Sequence, residues 1–206
     1  LSDAKNLGSG IEIPYYWAFN KNKDFTLSSN LFSQEHPLFL GEYRHAYKNA
    51  NLIVDAGYTE GYKNTTAVKR AGNKSHFFSK FVKNFKGKND SDNNFEASIQ
   101  RISHDKYLKV YKINTNLVEY EKDTLENSLS FVHENEDLYL GVEASAFETL
   151  KEGYNDKYEY ILPEIVFDKN VFSSNKYGSA DLTSNVKVHN YDTNTFTKFL
   201  VNDLDW

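Results

Sequence analysis

Apolar side chains recur at every second position in one short segment after another, and each segment is bounded by Asn, Asp, Lys, Ser or Gly. A period of two puts alternate side chains on opposite faces of a pleated strand, so the pattern predicts β-strands separated by turns. Ile11, Ile13, Tyr15 and Trp17 open the series, turn residues 20–24 follow, and Phe25, Leu27 and Leu31 complete a predicted hairpin. Further strands are expected around 38–47, 52–58 and 76–85, the last with Phe77, Phe81 and Phe85 on one face. Phe95, Ala97 and Ile99 share a face. Leu108 and Val110 share another, with Tyr107, Tyr111 and Ile113 opposite, which predicts a strand there as well. The later segments are 128–133, 138–147, 158–167, 179–191 and 195–203, and Leu138, Leu140, Val142, Ala144 and Ala146 alternate most cleanly.

Most of the intervening stretches are short, which favours antiparallel neighbours, because parallel pairing needs crossovers of about a dozen residues or more. The predicted fold is therefore all-β, an antiparallel meander of about a dozen strands whose sheet order follows the sequence. Fifteen Tyr and 15 Phe against 3 Pro agree with this, since aromatics favour strands. Two polar connections, 61–74 and 86–94, are longer and are expected to be mobile. No repeat of fixed period and no shift in composition marks a boundary, so residues 1–206 read as a single β-sheet unit.

The formal net charge is −5 and the lysines are dispersed, so the basic stripe of a nucleic-acid binder is missing and no nucleic-acid partner is expected. The absence of Cys removes disulfides, thiol catalysis and Cys-based metal sites together, while leaving the redox compartment open. No window reaches the roughly 18 apolar residues of a membrane-spanning helix, and residues 1–10 lack a signal-peptide hydrophobic region. A membrane β-barrel stays possible, because its strands need only about ten alternating residues and its lumen is polar.

The six histidines, His36, His45, His76, His104, His133 and His189, fall on different predicted strands or turns, none at metal-site spacing, so no metal is expected. Asp90, Asp92 and Asn94 copy the opening of a calcium loop. Phe95 then stands at the glycine position and Arg101 at the closing glutamate position, so a solvated turn is expected. Glu119 and Glu121 lie two apart in a predicted polar strand, and no phosphate loop or nucleophile elbow appears, so neither enzyme chemistry nor a cofactor is expected.

The aromatics Tyr15, Tyr16, Trp17 and Phe19 near one strand end, with Tyr158 and Tyr160 near another, fit two architectures. One is the core of a soluble sandwich or jelly-roll that binds glycans, and the other is the aromatic girdle of a membrane barrel. Pro14 and Pro163 lie inside predicted strands, where they cannot donate a ladder hydrogen bond. An edge or a weakly paired place is expected for Pro14, and a kink or bulge for Pro163.

The run Ile13-Pro14-Tyr15-Tyr16-Trp17-Ala18-Phe19-Asn20, followed by Asn22-Lys23-Asp24-Phe25-Thr26-Leu27, resembles the start of the barrel domain in a family of outer-membrane proteins. These are the lipopolysaccharide-assembly proteins, also called organic-solvent-tolerance proteins, which carry a similar proline-aromatic-aromatic strand, turn and threonine-rich strand. The likeness extends to Gly41-Glu42-Tyr43-Arg44 and to Asp55-Ala56-Gly57-Tyr58. Beyond about residue 60 it is one of pattern, with Tyr160-Ile161-Leu162-Pro163-Glu164 similar to a recurring leucine-proline-glutamate strand.

The resemblance implies a segment of a large β-barrel in the Gram-negative outer membrane, serving lipopolysaccharide transport and assembly and thus membrane biogenesis. In that family a periplasmic jelly-roll receives lipopolysaccharide, and the barrel releases it sideways through a seam between its first and last strands. A lipoprotein partner plugs the lumen, and outer-membrane lipid surrounds the wall. This chain would begin within or just after the first barrel strand and lack the closing strands. A proline in the family's second strand weakens hydrogen bonding beside the seam, and Pro14 matches it as the lateral-seam candidate. Tyr15, Tyr16, Trp17 and Phe19 would be the membrane-interface aromatics. An isolated segment cannot close, so an open or curled sheet that self-associates through its apolar face is expected.

Overall fold

A computed structural model describes residues 2–4, 7–63, 72–151, 157–191 and 195–206. The strands are β1 (Ser2–Ala4), β2 (Gly8–Asn20), β3 (Lys23–Phe32), β4 (Leu38–Ala46), β5 (Ala50–Thr59), β6 (Lys74–Lys86) and β7 (Asp92–Ile102). They continue with β8 (Thr124–Glu134), β9 (Leu138–Thr149), β10 (Tyr158–Ser174), β11 (Gly178–Tyr191) and β12 (Thr195–Asp205). One short helix, α1 (Tyr107–Tyr111), lies between β7 and β8. All twelve strands belong to one sheet ordered as the chain runs, so the expected all-β meander is the observed architecture.

The chain divides into two compact units, residues 1–80 with 99–123 and residues 81–98 with 124–206, so β6 and β7 contribute to both. In the first unit the antiparallel registers align Trp17, Phe25, Tyr43 and Val54 in one cross-strand row. One residue back, on the opposite face, stand Tyr16, Thr26, Glu42 and Asp55. In the second unit a row of six runs Phe95, Phe131, Val142, Ile165, Val186, Leu200. Its neighbour on the other face runs Glu96, Ser130, Glu143, Glu164, Lys187, Phe199. Alternation along the strands, combined with fixed register, thus puts most apolar side chains on one face of each unit, with Tyr16, Phe199 and Val201 on the other.

Three expectations meet the structure at particular places. The register of β10 shifts between Ile161 and Glu164 against both of its neighbours, so Pro163 sits in a bulge, where its missing N–H leaves no ladder bond unmade. The connection around 86–94 is a tight turn instead of a long loop. β6 runs on to Lys86, β7 starts at Asp92, and the Gly87 N–H donates to the Ser91 carbonyl at 2.8 Å. The connection at 61–74 lies largely outside the described residues, of which 64–71 are not among them.

The strand expected at 107–113 is not formed. Residues 107–111 are one turn of helix, with the Val110 N–H donating to the Lys106 carbonyl, and Lys112 ends it in the left-handed region at φ 51°. Tyr107, Leu108 and Tyr111 are buried, a spacing that suits a helical face as well as the alternation suited a strand. Glu119 and Glu121 likewise lie in irregular chain after the helix, not in a strand. Residues 103–123 form an inward strap whose Tyr107, Leu108, Tyr111, Ile113 and Val118 are buried together with Leu38 and Phe78, the core of the first unit.

Candidate functional site

The apolar face of each unit is bare. On β2, Ile11, Ile13, Tyr15, Trp17 and Phe19 alternate outward, with Ile13 50% and Trp17 54% exposed, and Leu27, Leu31, Phe39, Tyr58 and Phe77 are exposed on the neighbouring strands. In the second unit Leu129 is 51% and Leu200 64% exposed. Proteins that are monomeric in water rarely expose contiguous apolar patches beyond a few hundred Å². Large apolar side chains exposed along strand after strand leave a patch of that kind uncovered on each unit.

Of the four expected interface aromatics, the structure brings Tyr15, Trp17 and Phe19 together on the apolar face, where the Trp17 and Phe19 rings lie 4.8 Å apart. Tyr16 falls on the opposite face, opposite Thr26, because an odd step along a strand reverses the side chain. It is not part of the same band.

Pro14 pairs with Ser28 of β3 on one side. On the other side β1 covers only Gly8, Ser9 and Gly10, so among the described residues no strand pairs with residues 11–20 there. Glu12 and Tyr16 share the face of Pro14.

The polar face carries a feature that sequence reading missed. Asp55 of β5, His76 of β6 and Tyr107 of α1 are all buried, and they join in a chain of hydrogen bonds. His76 Nε2 lies 2.7 Å from Asp55 Oδ1, and its Nδ1 lies 3.3 Å from the Tyr107 hydroxyl. The His76 ring stacks on Phe78 at 4.6 Å. Gly57 leaves the room for it, since a Cβ at that position would lie 2.4 Å from His76 Cε1. Burial, aided by the charges of Tyr111 and Asp55, holds the Tyr107 phenol well above its ordinary range. Burial likewise pushes Tyr111 up to about 12. A buried polar chain of this kind is costly unless every member is satisfied, so it fixes the strap to the wall in one arrangement. The signal available in the sequence was Asp55 between Val54 and Ala56 and His76 next to Phe77 and Phe78, but their 21-residue separation hid the pairing.

Beyond this anchor the strap reaches over the polar face. Its tip residues Asn114, Thr115 and Asn116 border a half-open groove of about 360 Å³ that is also lined by Glu12, Thr26, Ser28, Leu40, Gly41, Glu42 and Asp55. Asn116 Nδ2 donates to Glu42 Oε2 at 2.6 Å. Within the tip, Thr115 Oγ1 accepts from the N–H groups of Leu117 and Val118, each at 3.0 Å, and Asn114 Oδ1 accepts from Tyr120 N–H at 3.1 Å.

The remaining histidines are dispersed. His36 lies 3.3 Å from Glu60, His45 3.2 Å from the Tyr43 hydroxyl, His133 2.8 Å from Asn93 and His189 2.5 Å from Glu159. Among the described residues no group of three metal-ligating side chains converges. Asp90 and Asp92, the expected solvated turn, both approach Lys86, at 3.6 and 3.0 Å.

The connections fall into two sets. Those after β2, β4, β6, β8 and β10 span 21–22, 47–49, 87–91, 135–137 and 175–177. Those after β3, β5, β7, β9 and β11 span 33–37, 60–73, 103–123, 150–157 and 192–194, and the three longest all belong to this second set. Comparison with known proteins adds no relative: no family model matches the chain, and no curated protein matches it.

Proposed function

We propose that this chain is part of the wall of an outer-membrane β-barrel that transports and assembles lipopolysaccharide, and that it contributes the wall beside the lateral seam. The observation that carries the barrel reading is the sorting of side chains in a single meander, with exposed apolar residues on one face and carboxylates, hydroxyls and amides on the other. That the three longest connections all follow odd-numbered strands adds to it, since barrels of this class carry short turns on one side of the membrane and longer loops on the other. The cargo rests on the resemblance of residues 13–27, 41–44 and 55–58, the first of which contains Pro14. On this reading the partners are lipopolysaccharide, surrounding outer-membrane lipid and a lipoprotein plug, and the polar face lines the path. No residue needs to perform chemistry.

The alternative, a soluble sandwich that binds glycans, buries one face of each sheet against a second sheet. Here all strands belong to one sheet, and the large apolar side chains lie exposed.

The test has two arms on one preparation. Light scattering in buffer should show assemblies that detergent micelles disperse, and a stable monomer indifferent to detergent would sink the wall. In the dispersed chain, a photo-crosslinking residue at Pro14 or Tyr16 should capture lipopolysaccharide while one at Lys48, in an exposed turn, should not. Equal capture at all three positions, or capture at none, would remove the cargo assignment.

A further inference from the structure

We infer that residues 112–120 form a hinged lid over the polar face beside β2, rooted in the buried anchor and clasped at its tip. The root is α1, whose Tyr107 is fully buried and bonded through His76 to Asp55. The hinge is Lys112, which leaves the helix in the left-handed region, a single-residue reversal that lets the chain turn back on itself. The lid is a self-supporting loop, because the bonds of Thr115 and Asn114 hold its shape without help from the wall. Its base is drawn together by the ion pair between Lys109 and Asp123. Ile113 stays with the root, its N–H donating to the Leu108 carbonyl at 3.0 Å, and two contacts clasp the rest: the exposed hydrogen bond from Asn116 to Glu42, and the buried side chain of Val118.

Beneath the tip, residues 114–116, is a half-open polar groove, while Ile113 and Val118 on either side pack into the core. The groove of about 360 Å³ lies between the tip and the wall and reaches Ser28 and Glu12, the polar-face neighbours of Pro14. A loop packed into the core along its whole length would move only with that core. A lid that keeps its own shape and spans a polar groove can instead lift about its hinge without disturbing the root. The difference in stability between the two ends sets the order of events: the tip opens before the anchor yields.

The chain holds no cysteine, so a single reporter can be read without background. Ser28→Cys is labelled with a charged maleimide in detergent micelles, with Lys48→Cys as the exposed reference, and hydrogen exchange is followed at residues 107–111. In the parent background Ser28→Cys should label well below the reference rate. Adding Asn116→Ala should raise that rate about three- to fivefold, the change expected for one exposed hydrogen bond. Val118→Ala should raise it about tenfold, from the apolar carbons lost. Exchange at 107–111 should stay slow in both variants.

Labelling at the reference rate in the parent would show an uncovered face. No response to either variant would show that the tip is not the clasp. Exchange at 107–111 rising in step with labelling would show the whole strap unfolding instead of hinging. Any of these overturns the lid. The readout involves no lipopolysaccharide, so failure here and failure of the transport reading are distinguishable.

Discussion

Replacing Leu129 with Arg separates a lipid-facing wall from a surface that meets water. Leu129 lies near the middle of β8, is 51% exposed, and is aligned with Ala97 and Ala144 on the apolar face. A half-exposed leucine on an aqueous surface can become Arg at a cost within about 0.5 kcal/mol, because the long side chain extends into solvent. On the lipid face of a membrane barrel the same change costs about 2–4 kcal/mol at the bilayer midplane, falling to about 0–1 near the interfaces. At about 1.4 kcal/mol per decade, the midplane cost lowers the folded-to-unfolded ratio roughly 30- to 1,000-fold. The control is the next residue, Ser130→Arg, whose side chain stands on the other face between Glu96 and Glu143. There the added cation meets two carboxylates, so the change should be neutral or slightly favourable. The assay is a urea titration of the chain refolded into phospholipid vesicles, with the folded fraction read by protease protection, and the same titration in micelles. The expected result is a large loss for Leu129→Arg with Ser130→Arg at or above the parent. Equal midpoints for the two variants in vesicles would refute the assignment of faces to lipid and lumen.

Gly57→Ala should cost about 1–3 kcal/mol in a denaturant titration, because the new Cβ would meet His76 Cε1 at 2.4 Å and Leu40 Cδ2 at 2.8 Å, and the ring cannot retreat without losing its bond to Asp55. Gly141→Ala, whose nearest neighbour is the far end of the Tyr139 side chain at 3.1 Å, should lie close to the parent in the same assay. The strap should also loosen in alkali. Tyr107 and Tyr111 titrate above their ordinary value when folded, so the neutral phenols favour the folded strap. That contribution is complete below about pH 10, where the unfolded phenol begins to ionise, and is lost as pH rises through the folded value of about 12 for Tyr111. Tyrosinate absorbance near 295 nm should therefore rise together with proteolysis in 103–123, and a normal phenolic titration there would disprove the burial argument.

What the sequence determined by itself was the strand series and its two faces. Alternation at period two is a local property, and with short turns the register follows, so rows such as Phe95 to Leu200 are legible wherever apolar and polar residues take strict turns. The place of Pro163 in a bulge was legible for the same reason, since a residue without an N–H has few positions in a sheet. Tyr16 shows the limit: it belongs to an aromatic run along the chain but not in space, because only register decides which face a side chain joins.

The strap was decided by tertiary structure. Tyr107 to Ile113 alternates well enough for a strand, and its tyrosines are also four apart, as on a helix. At seven residues the local preferences come out nearly even, and burial against Phe78, Leu38 and the Asp55–His76 pair resolves them. The pair itself joins residues 21 apart on adjacent strands, and its partner Tyr107 lies 31 beyond His76. No local pattern encodes such distances.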